Sequence, residues 1–352
     1  MTPGSEATAA AAAIAGEARP SARVDEGRSL RIAFAVMVAF FLLAPLAIYP
    51  IFLMKVMCFG LFACAFNLLL GYGGLLSFGH AMFLGIAGYV AAYLAKEGVA
   101  LEALHIGAVT LPVGISLPPF TPELAILSGS LAAGVLGVLV GLIAIRRQGI
   151  YFAMITLALA QMVYFFCIQA PFTGGEDGIQ AVPRGKLFGL IDLSNITAMY
   201  ATVFVIFVSG FLLIYRIIHS PFGQVLKAIR ENEPRAISLG YDADRYKLLA
   251  FVLSATLAGL AGATSAIVFQ LAALNAVHWT MSGEVVLMTL VGGLGTVFGP
   301  VVGAFAVLGM ENYLAQLGAW VTIVQGAIFV ICVLTFRRGI VGELSRWLRK
   351  PL

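Results

Sequence analysis

Polar residues inside long apolar runs are the first candidates for chemistry in this sequence, because polar groups at membrane depth are costly unless they are paired or functional. A pathway through a membrane needs such groups, together with breaks in the surrounding helices. The candidate pathway residues are Asn67, Ser77, Gly79, His80, Thr156, Gln161, Gly292, Gly293 and Gly295. Glycines also serve helix packing alone, and a lone histidine is more often a hydrogen-bonded structural residue than a ligand. Both interpretations stay open.

Motifs that would support catalysis are missing. The sequence contains no H-E-x-x-H zinc motif, no G-x-S-x-G nucleophile elbow and no Cys/His cluster with metal spacing. It also lacks a G-x-x-x-x-G-K-[ST] phosphate loop, a carboxylate pair within the spans, an Arg series and an acidic relay. We therefore expect a protein that is not an enzyme and that binds no metal and no cofactor of its own.

The composition indicates a membrane protein. Of 352 residues, 61% are hydrophobic and 11% are charged, and the mean hydropathy is +1.00. A soluble protein carries charges on roughly a quarter of its residues, so a soluble enzyme, a secreted disulfide scaffold and a disordered chain do not fit. All four cysteines fall inside apolar runs, where a thiol is usually a small buried hydrophobe. They are Cys58, Cys64, Cys167 and Cys332.

The charged residues are concentrated in three stretches, 1–31, 216–247 and 337–350, which hold 24 of the 38 charges. Cytoplasmic segments of membrane proteins are enriched in Lys and Arg. These three stretches and residues 146–147 hold 17 of the 21 basic residues, so we place them, and both termini, on the cytoplasmic side. The net charge of +4 then reflects basic flanks of membrane spans rather than nucleic-acid binding.

The same distribution divides the chain into three segments. Residues 1–28 contain almost no large apolar side chains, which predicts a disordered cytoplasmic tail. Residues 29–337 form the transmembrane domain, with the cytoplasmic loop 216–247 inside it. Residues 338–352 form a basic cytoplasmic tail.

Apolar runs of about 20 residues, the length that crosses a bilayer, begin near nine positions. These are Leu30, Ile51, Gly74, Leu124, Ile150, Thr197, Leu248, Val285 and Gly318. Nine single crossings would put the termini on opposite sides. The run 285–310 resolves this, because four glycines and a proline within residues 292–300 split it into two half-helices. We predict an all-α polytopic membrane protein with about 8–10 spans, including interrupted or re-entrant helices.

The loop 216–247 has the sequence of a folded element. Ser220 is suited to cap a helix that has Pro221 at its first position, and a second short helix restarts at Pro234 and ends at Gly240. The apolar sides of the two helices are formed by Val225, Leu226 and Ile229 and by Ala236, Ile237 and Leu239. Such helices either lie on lipid headgroups or dock into a soluble partner.

Four stretches together resemble a known family. They are residues 71–89 (GYGGLLSFGHAMFLGIAGY), 173–178 (TGGEDG), 222–247 with the core AIRENEPRAISLGYD, and 292–303 (GGLGTVFGPVVG). In order and spacing they resemble the branched-chain amino acid permeases of bacterial ABC importers, of the LivM-like type, across nearly the whole chain after residue 30. The resemblance implies a multi-pass protein of the bacterial inner membrane that translocates branched-chain amino acids by alternating access.

The resemblance also implies partners and their contact sites. The partners are a second permease of the same type, two ATPase subunits that bind ATP and Mg, and a periplasmic solute-binding protein. The ATPases would grip a coupling loop whose candidate residues are Pro221, Phe222, Gly223, Arg230, Glu231, Pro234, Arg235, Ala236 and Gly240. The binding protein would dock on Thr173, Gly174, Gly175, Glu176, Asp177 and Gly178, a segment that is equally typical of an ordinary glycine-rich turn.

Three other functions stay open at this point. The same kind of complex could import urea, short amides or aromatic acids, because the polar candidates cannot specify a side chain. A stand-alone channel or secondary carrier would need its own coupling-ion site or an inverted repeat, and neither is clear in the sequence. An intramembrane enzyme would need a nucleophile or metal site.

Overall fold

The computed structural model describes residues 20–101, 104–106, 109–111, 115–314, 320–335 and 339–348. Residues 1–19 of the predicted tail lie outside this range, and residues 20–28 form the first turns of a helix. At the other end, residues 339–348 of the predicted basic tail are helical and residues 349–352 lie outside the described range.

Helices dominate the described part of the chain, as the composition predicts, because a helix satisfies its own backbone hydrogen bonds in an apolar solvent. They are α1 (Pro20–Leu43), α2 (Pro50–Asn67), α3 (Ala81–Lys96), α4 (Pro122–Ala144), α5 (Ile150–Gln169), α6 (Ile196–His219), α7 (Pro221–Glu231), α8 (Glu233–Ser238), α9 (Ala243–Phe269), α10 (Trp279–Gly292), α11 (Gly299–Leu314), α12 (Trp320–Thr335) and α13 (Gly339–Leu348). A π-helical turn, Leu68–Tyr72, extends α2.

Five segments of the described chain are long and apolar enough to cross a membrane. They are Pro50–Tyr72, Pro122–Ala144, Ile150–Gln169, Ile196–His219 and Ala243–Phe269. Leu30–Leu46 and Ala81–Lys96 are shorter apolar helices. The chain is therefore a multi-pass membrane protein, as the sequence predicts.

Short strands form the connections at one end of the bundle. They are β1 (Val99–Leu101), β2 (Leu104–Ile106), β3 (Val109–Leu111), β4 (Ile115–Leu117), β5 (Ile179–Gln180), β6 (Lys186–Leu187), β7 (Ile191–Asp192) and β8 (Leu271–Ala272). They pair antiparallel, β1 with β4, β2 with β3, β5 with β8 and β6 with β7. The β5–β8 pair joins the ends of α5 and α9. The sequence analysis did not predict these strands.

Two apolar runs of the sequence do not form continuous helices. The 285–310 run is two helices, α10 and α11, as predicted, and Gly293 and Gly295 between them have φ of 129° and 75°. Such angles favour glycine, which explains why the break lies there. The apolar run that begins near Gly74 is not helical at its start, because Gly74 also has a positive φ of 70° and α3 begins only at Ala81.

A seam of small residues holds α9 against α3 and α4. A Cβ at Gly262 of α9 would lie 2.7 Å from the carbonyl carbon of Leu84 in α3. A Cβ at Gly137 of α4 would lie 2.7 Å from the Cβ of Ala255. The backbones therefore approach as closely as small residues allow.

The first described helix begins, and the last described helix lies, near the break between α10 and α11. A Cβ at Gly339, where α13 begins, would lie 2.5 Å from the backbone nitrogen of Gly293. Leu30 of α1 lines the same cavity as Arg230 of α7 and Gly295. Since α10 and α11 form a tight antiparallel pair, the described chain begins and ends at the same end of the bundle, which resolves the parity of the spans.

Candidate functional site

His80 lies in the core, directly before α3, and its side chain is fully buried. Its Nε2 is 2.8 Å from the Ser254 hydroxyl. Ser254 has one hydroxyl proton, which it donates to the carbonyl oxygen of Ala65 at 2.5 Å. Nε2 of His80 is therefore the donor in its bond, and the bare Nδ1 has no hydrogen-bond partner among the described residues.

Phenylalanine rings surround this histidine. The ring centroids of Phe62, Phe66, Phe83 and Phe251 lie between 5.2 and 6.3 Å from that of His80. Four aromatic neighbours and a structural hydrogen bond leave the imidazole no open side toward a solute in this conformation. The arrangement favours the structural interpretation of His80, and its role in a pathway stays a prediction.

The residues before α3 are packed against α5. A Cβ at Gly79 would lie 2.9 Å from the carbonyl carbon of Thr156. The buried Ser77 hydroxyl accepts a hydrogen bond from the Gly79 N–H at 3.3 Å. The Thr156 hydroxyl donates to Ala153 O in its own helix. The structure thus brings Ser77, Gly79, His80 and Thr156 together, and each of the three side chains makes a hydrogen bond to protein.

Gln161 is half-buried and lies five residues beyond Thr156 in α5. Several large apolar side chains of this helix face outward, and they include Tyr151, Met154, Met162, Phe165 and Phe166. Its contribution to a pathway remains a prediction.

Asn67 fastens the break between α10 and α11 to α2. Its Nδ2 donates to the carbonyl oxygen of Thr296 at 2.9 Å, and its Oδ1 accepts from the N–H of Gly295 at 3.0 Å. The Thr296 hydroxyl in turn donates to Gly293 O and accepts from the N–H of Gly299. A broken helix leaves backbone groups without intrahelical partners, and these two side chains satisfy four of them.

The Asn67 amide is thus occupied by backbone, which argues that it positions the break rather than contacting a solute in this conformation. Gly292 and Gly293 belong to the same junction. A Cβ at Gly292 would lie 3.0 Å from the backbone nitrogen of Gly303 in α11. Gly292 therefore serves close backbone packing here, and Gly293 and Gly295 supply the positive φ angles of the break.

The α7–α8 loop is folded as the sequence predicts. Ser220 Oγ accepts from the N–H of Gly223 at 3.3 Å and caps α7, while Asn232 Oδ1 accepts from the N–H of Arg235 at 3.1 Å and caps α8. A small apolar cluster of Ile229, Ala236 and Ala243 lies between the loop and α9. The rings of Phe222 and Tyr246 stack with centroids 5.6 Å apart.

An ion pair locks this loop to α9. Lys247 Nζ lies 2.6 Å from Glu233 Oε1, and the two side chains are 6% and 20% exposed. Gln148, in the turn between α4 and α5, donates to the same carboxylate at 2.9 Å. The loop is therefore a rigid unit attached to two parts of the helix bundle. The sequence analysis missed this pair.

Three large apolar side chains are exposed at the tip of the loop. Ile237, Leu239 and Tyr241 are 55%, 70% and 42% exposed. Gly240 between them has a φ of 89°, which ends α8 in a tight turn. Among the other predicted loop residues, Gly223 and Ala236 are buried, Phe222 is partly buried, and Pro221, Arg230, Glu231, Pro234 and Arg235 are exposed.

The predicted docking segment forms a turn at the opposite end. The Thr173 hydroxyl is buried and lies 2.6 Å from the carbonyl oxygens of both Cys167 and Ala170. Gly174, Gly175 and Gly178 all have positive φ. Glu176 and Asp177 are exposed, so the segment presents two carboxylates to its surroundings. Its docking role stays a prediction.

The sequence analysis missed a charged cluster near the strand end of the bundle. Lys55 Nζ of α2 lies 3.1 Å from Glu311 Oε2 of α11. Glu284 of α10 is within electrostatic range of both. The split of the 285–310 run places Glu284 and Glu311, the two carboxylates that flank the run, at the same end of the bundle.

Other candidates for metal or redox chemistry are few. No group of three His, Cys, Asp or Glu side chains in the described ranges could hold a metal ion. Cys58, Cys64 and Cys167 are free and buried, as expected for small hydrophobes.

Comparison with known proteins identifies relatives of the whole bundle. The family described as "Branched-chain amino acid transport system / permease component" matches residues 48–333. The high-affinity branched-chain amino acid transport system permease protein LivM of Escherichia coli K12 is 25% identical over 297 residues, which cover 78% of this chain and 65% of that protein. The protein of the same name from Salmonella typhimurium matches with the same identity and coverage.

A more distant relative is the probable branched-chain amino acid transport permease protein LivM of Methanocaldococcus jannaschii. It is 27% identical over 176 residues, which cover 49% of this chain and 50% of that protein. The chain spans a little under two thirds of the length of the two bacterial relatives. No solved structure matches. With the family match covering most of the helix bundle, the chain belongs to the permease components of branched-chain amino acid transport systems.

Proposed function

We propose that this chain is the membrane-spanning subunit of an ATP-driven importer that translocates branched-chain amino acids. In this proposal a second permease of the same type completes the membrane part, and two ATPase subunits supply hydrolysis. A periplasmic binding protein delivers the cargo, and the complex lies in the bacterial inner membrane with the α7–α8 loop in the cytoplasm. Membership of the permease family supports a transport role rather than an enzymatic one.

The observation that carries the proposal is the rigid α7–α8 loop with its apolar tip. Soluble surfaces rarely place three large apolar side chains side by side unless they bind a partner. Caps, an apolar cluster and the Lys247–Glu233 ion pair hold Ile237, Leu239 and Tyr241 outward. A rigid element of this kind transmits force from a partner to the helices, as alternating access requires.

The interrupted helices supply the moving parts. Non-helical backbone at membrane depth is tolerated where it is buried in protein or lines a cavity. The break between α10 and α11 lies beside a cavity of about 650 Å³, which Arg230 of α7 also lines. Movement of the loop would therefore reach the break directly. The chain contributes no covalent chemistry to this cycle, and its residues only bind, pack and move.

Leu239→Glu tests the docking role. We expect this variant to lose the ATPase subunits on purification, because a carboxylate replaces an apolar side chain that is 70% exposed at the loop tip. Leu190→Glu is the matched control, since Leu190 is 88% exposed between β6 and β7 at the other end of the bundle. Equal recovery of ATPases by Leu239→Glu and by the unmodified chain would contradict the docking role.

Reconstitution tests the function as a whole. The chain would be expressed with the neighbouring transport genes, purified in mild detergent and placed in liposomes. We expect ATP-dependent uptake of leucine, isoleucine and valine that requires the binding protein. Uptake of urea or an aromatic acid instead would support an importer with a different cargo. A chain that purifies alone and passes solute without ATP would be a channel or carrier.

A further inference from the structure

Three separate parts of the chain meet at Gly71, in the π-helical turn that ends α2. The Gly71 carbonyl oxygen accepts a hydrogen bond from the guanidinium group of Arg230 in α7. The Asn67 side chain covers the other side of this glycine, and a Cβ here would lie 2.9 Å from the backbone nitrogen of Gly295. One glycine thus contacts the cytoplasmic loop, α2 and the break between α10 and α11.

The helix end explains why this carbonyl is available. The last carbonyls of a helix lack intrahelical partners, and a π-helical turn displaces them further. The amides that follow bond to Leu69 and Leu70 instead, from Gly73, Gly74 and Leu75. A guanidinium group is a suitable partner for a carbonyl left free in this way, because its charge strengthens the hydrogen bond.

Contacts along its length hold the Arg230 side chain in place. A Cβ at Gly74 would lie 3.0 Å from Cγ of Arg230, so the aliphatic part of Arg230 packs over that glycine. Gly295 is close to its far end, since a Cβ there would lie 3.8 Å from Nη1. On the same face of α7, Lys227 Nζ lies 5.3 Å from the centre of the Tyr72 ring.

The surroundings give this contact room to change. The cavity of about 650 Å³ is lined by Gly71, Arg230, Lys227 and Gly295, among others. Displacement of α7 toward or away from this space would act on the π turn through the bond between Arg230 and Gly71. Asn67, which bonds to both Gly295 and Thr296, would then move the break.

We propose that Arg230 is a positioning residue that transmits movement of the α7–α8 loop, through the Gly71 carbonyl and Asn67, to the break between α10 and α11. The inference rests on the proposed function, because partner ATPases must supply the movement. It assigns a bonded route from the loop to the interrupted helices, which resemblance to a family does not provide. Arg230 has no contact with the cargo in this role.

Arg230→Met tests the route, because methionine keeps an apolar stem over Gly74 and removes only the guanidinium group. The measurement is leucine taken up per ATP hydrolysed, in liposomes that contain the whole complex and the binding protein. We expect the ratio to fall about tenfold. Arg230→Lys keeps a donor and should lose less. Arg245→Met is the matched control, since Arg245 has a side chain that is 83% exposed.

A second measurement reads the break directly. Hydrogen exchange of the 293–299 backbone is followed in the complete complex, with and without a non-hydrolysable ATP analogue. In the unmodified complex we expect the analogue to change this exchange, and in Arg230→Met we expect no change. If Arg230→Met does not assemble, Asn67→Ala must abolish the same response, because it removes the next bond of the route and leaves α7 untouched.

The outcomes separate this inference from the proposed function. The route would be overturned if Arg230→Met, or Asn67→Ala in its place, had the same uptake per ATP and the same nucleotide response as the unmodified complex. The proposal of an importer would remain intact. Failure of the unmodified chain to assemble with ATPases would overturn the proposed function itself. Equal losses in Arg230→Met and Arg245→Met would also overturn the route, since a general effect of charge in the loop would explain both.

Discussion

Removal of Glu233 should loosen the α7–α8 loop more than any change to an exposed charge in the same region. Lys247 and Glu233 lie 2.6 Å apart and are largely withdrawn from water. Breaking a buried ion pair by removing one partner costs about 3–5 kcal/mol, because the other charge is left uncompensated. Since Glu233 is 20% exposed, we expect about 2–3 kcal/mol for Glu233→Ala.

Lys247→Met should cost less than Glu233→Ala, because Gln148 still donates to the remaining carboxylate. The double variant should be less destabilised than the sum of the two single variants, with a coupling energy of about 2 kcal/mol. The exposed pair Asp242 and Arg245 is the matched control, since its side chains are 51% and 83% exposed and such pairs contribute under about 1 kcal/mol.

Hydrogen exchange of the α7 and α8 amides in nanodiscs measures the free energy of local opening. A loss of 2 kcal/mol corresponds to about thirtyfold faster exchange. Exchange in the α9 amides beyond Phe251 should be unaffected, because this part of the helix is held by the seam with α3 and α4. Strictly additive effects of Glu233→Ala and Lys247→Met would refute the argument, since the two charges would then not be coupled.

Two further predictions concern the packing of the core. Gly262→Ala should lower the free energy of unfolding by about 1–3 kcal/mol, because its new methyl group would meet a backbone carbonyl of α3, whereas Gly283→Ala should be neutral because it has no neighbour within 4 Å. Thermal unfolding of the two variants in detergent measures this, and equal midpoints would contradict it. Ser254→Ala should cost about 1–3 kcal/mol, because it leaves His80 and a backbone carbonyl of α2 unpaired. Ser265→Ala, which loses only a bond within its own helix, should change the midpoint little, and a Ser254→Ala midpoint as high as this control would show that the buried bonds contribute nothing.

Features that depend on local sequence could be predicted well. The caps and prolines of the α7–α8 loop determine its helices through neighbouring residues, so Ser220, Pro221 and Gly240 gave the right boundaries. The split of the 285–310 run followed from its glycines and proline in the same way. The start of α3 does not follow from hydropathy alone, because residues 74–80 include Leu75, Leu76 and Phe78 and are apolar although the backbone there is not helical.

Features that depend on distant contacts could not be predicted. Asn67 and Gly295 are separated by 228 positions. Nothing in the sequence around either residue indicates that the side-chain amide of Asn67 would bond to the backbone of Gly295. The same is true of His80 and Ser254, which are 174 positions apart. The type of each residue suggested a polar role at depth, but the partner of each was determined by how the helices pack.

The glycine and alanine seam between α3, α4 and α9 has a consequence for spectroscopy of the transport cycle. Where backbones touch without intervening side chains, sliding by even a fraction of a helical turn produces collisions, so these three helices behave as a single static block. Paired labels on α3 and α9 should therefore report a constant separation under every nucleotide condition. Labels that pair either helix with α11 should report the changes, and the block would serve as the fixed frame against which those changes are measured.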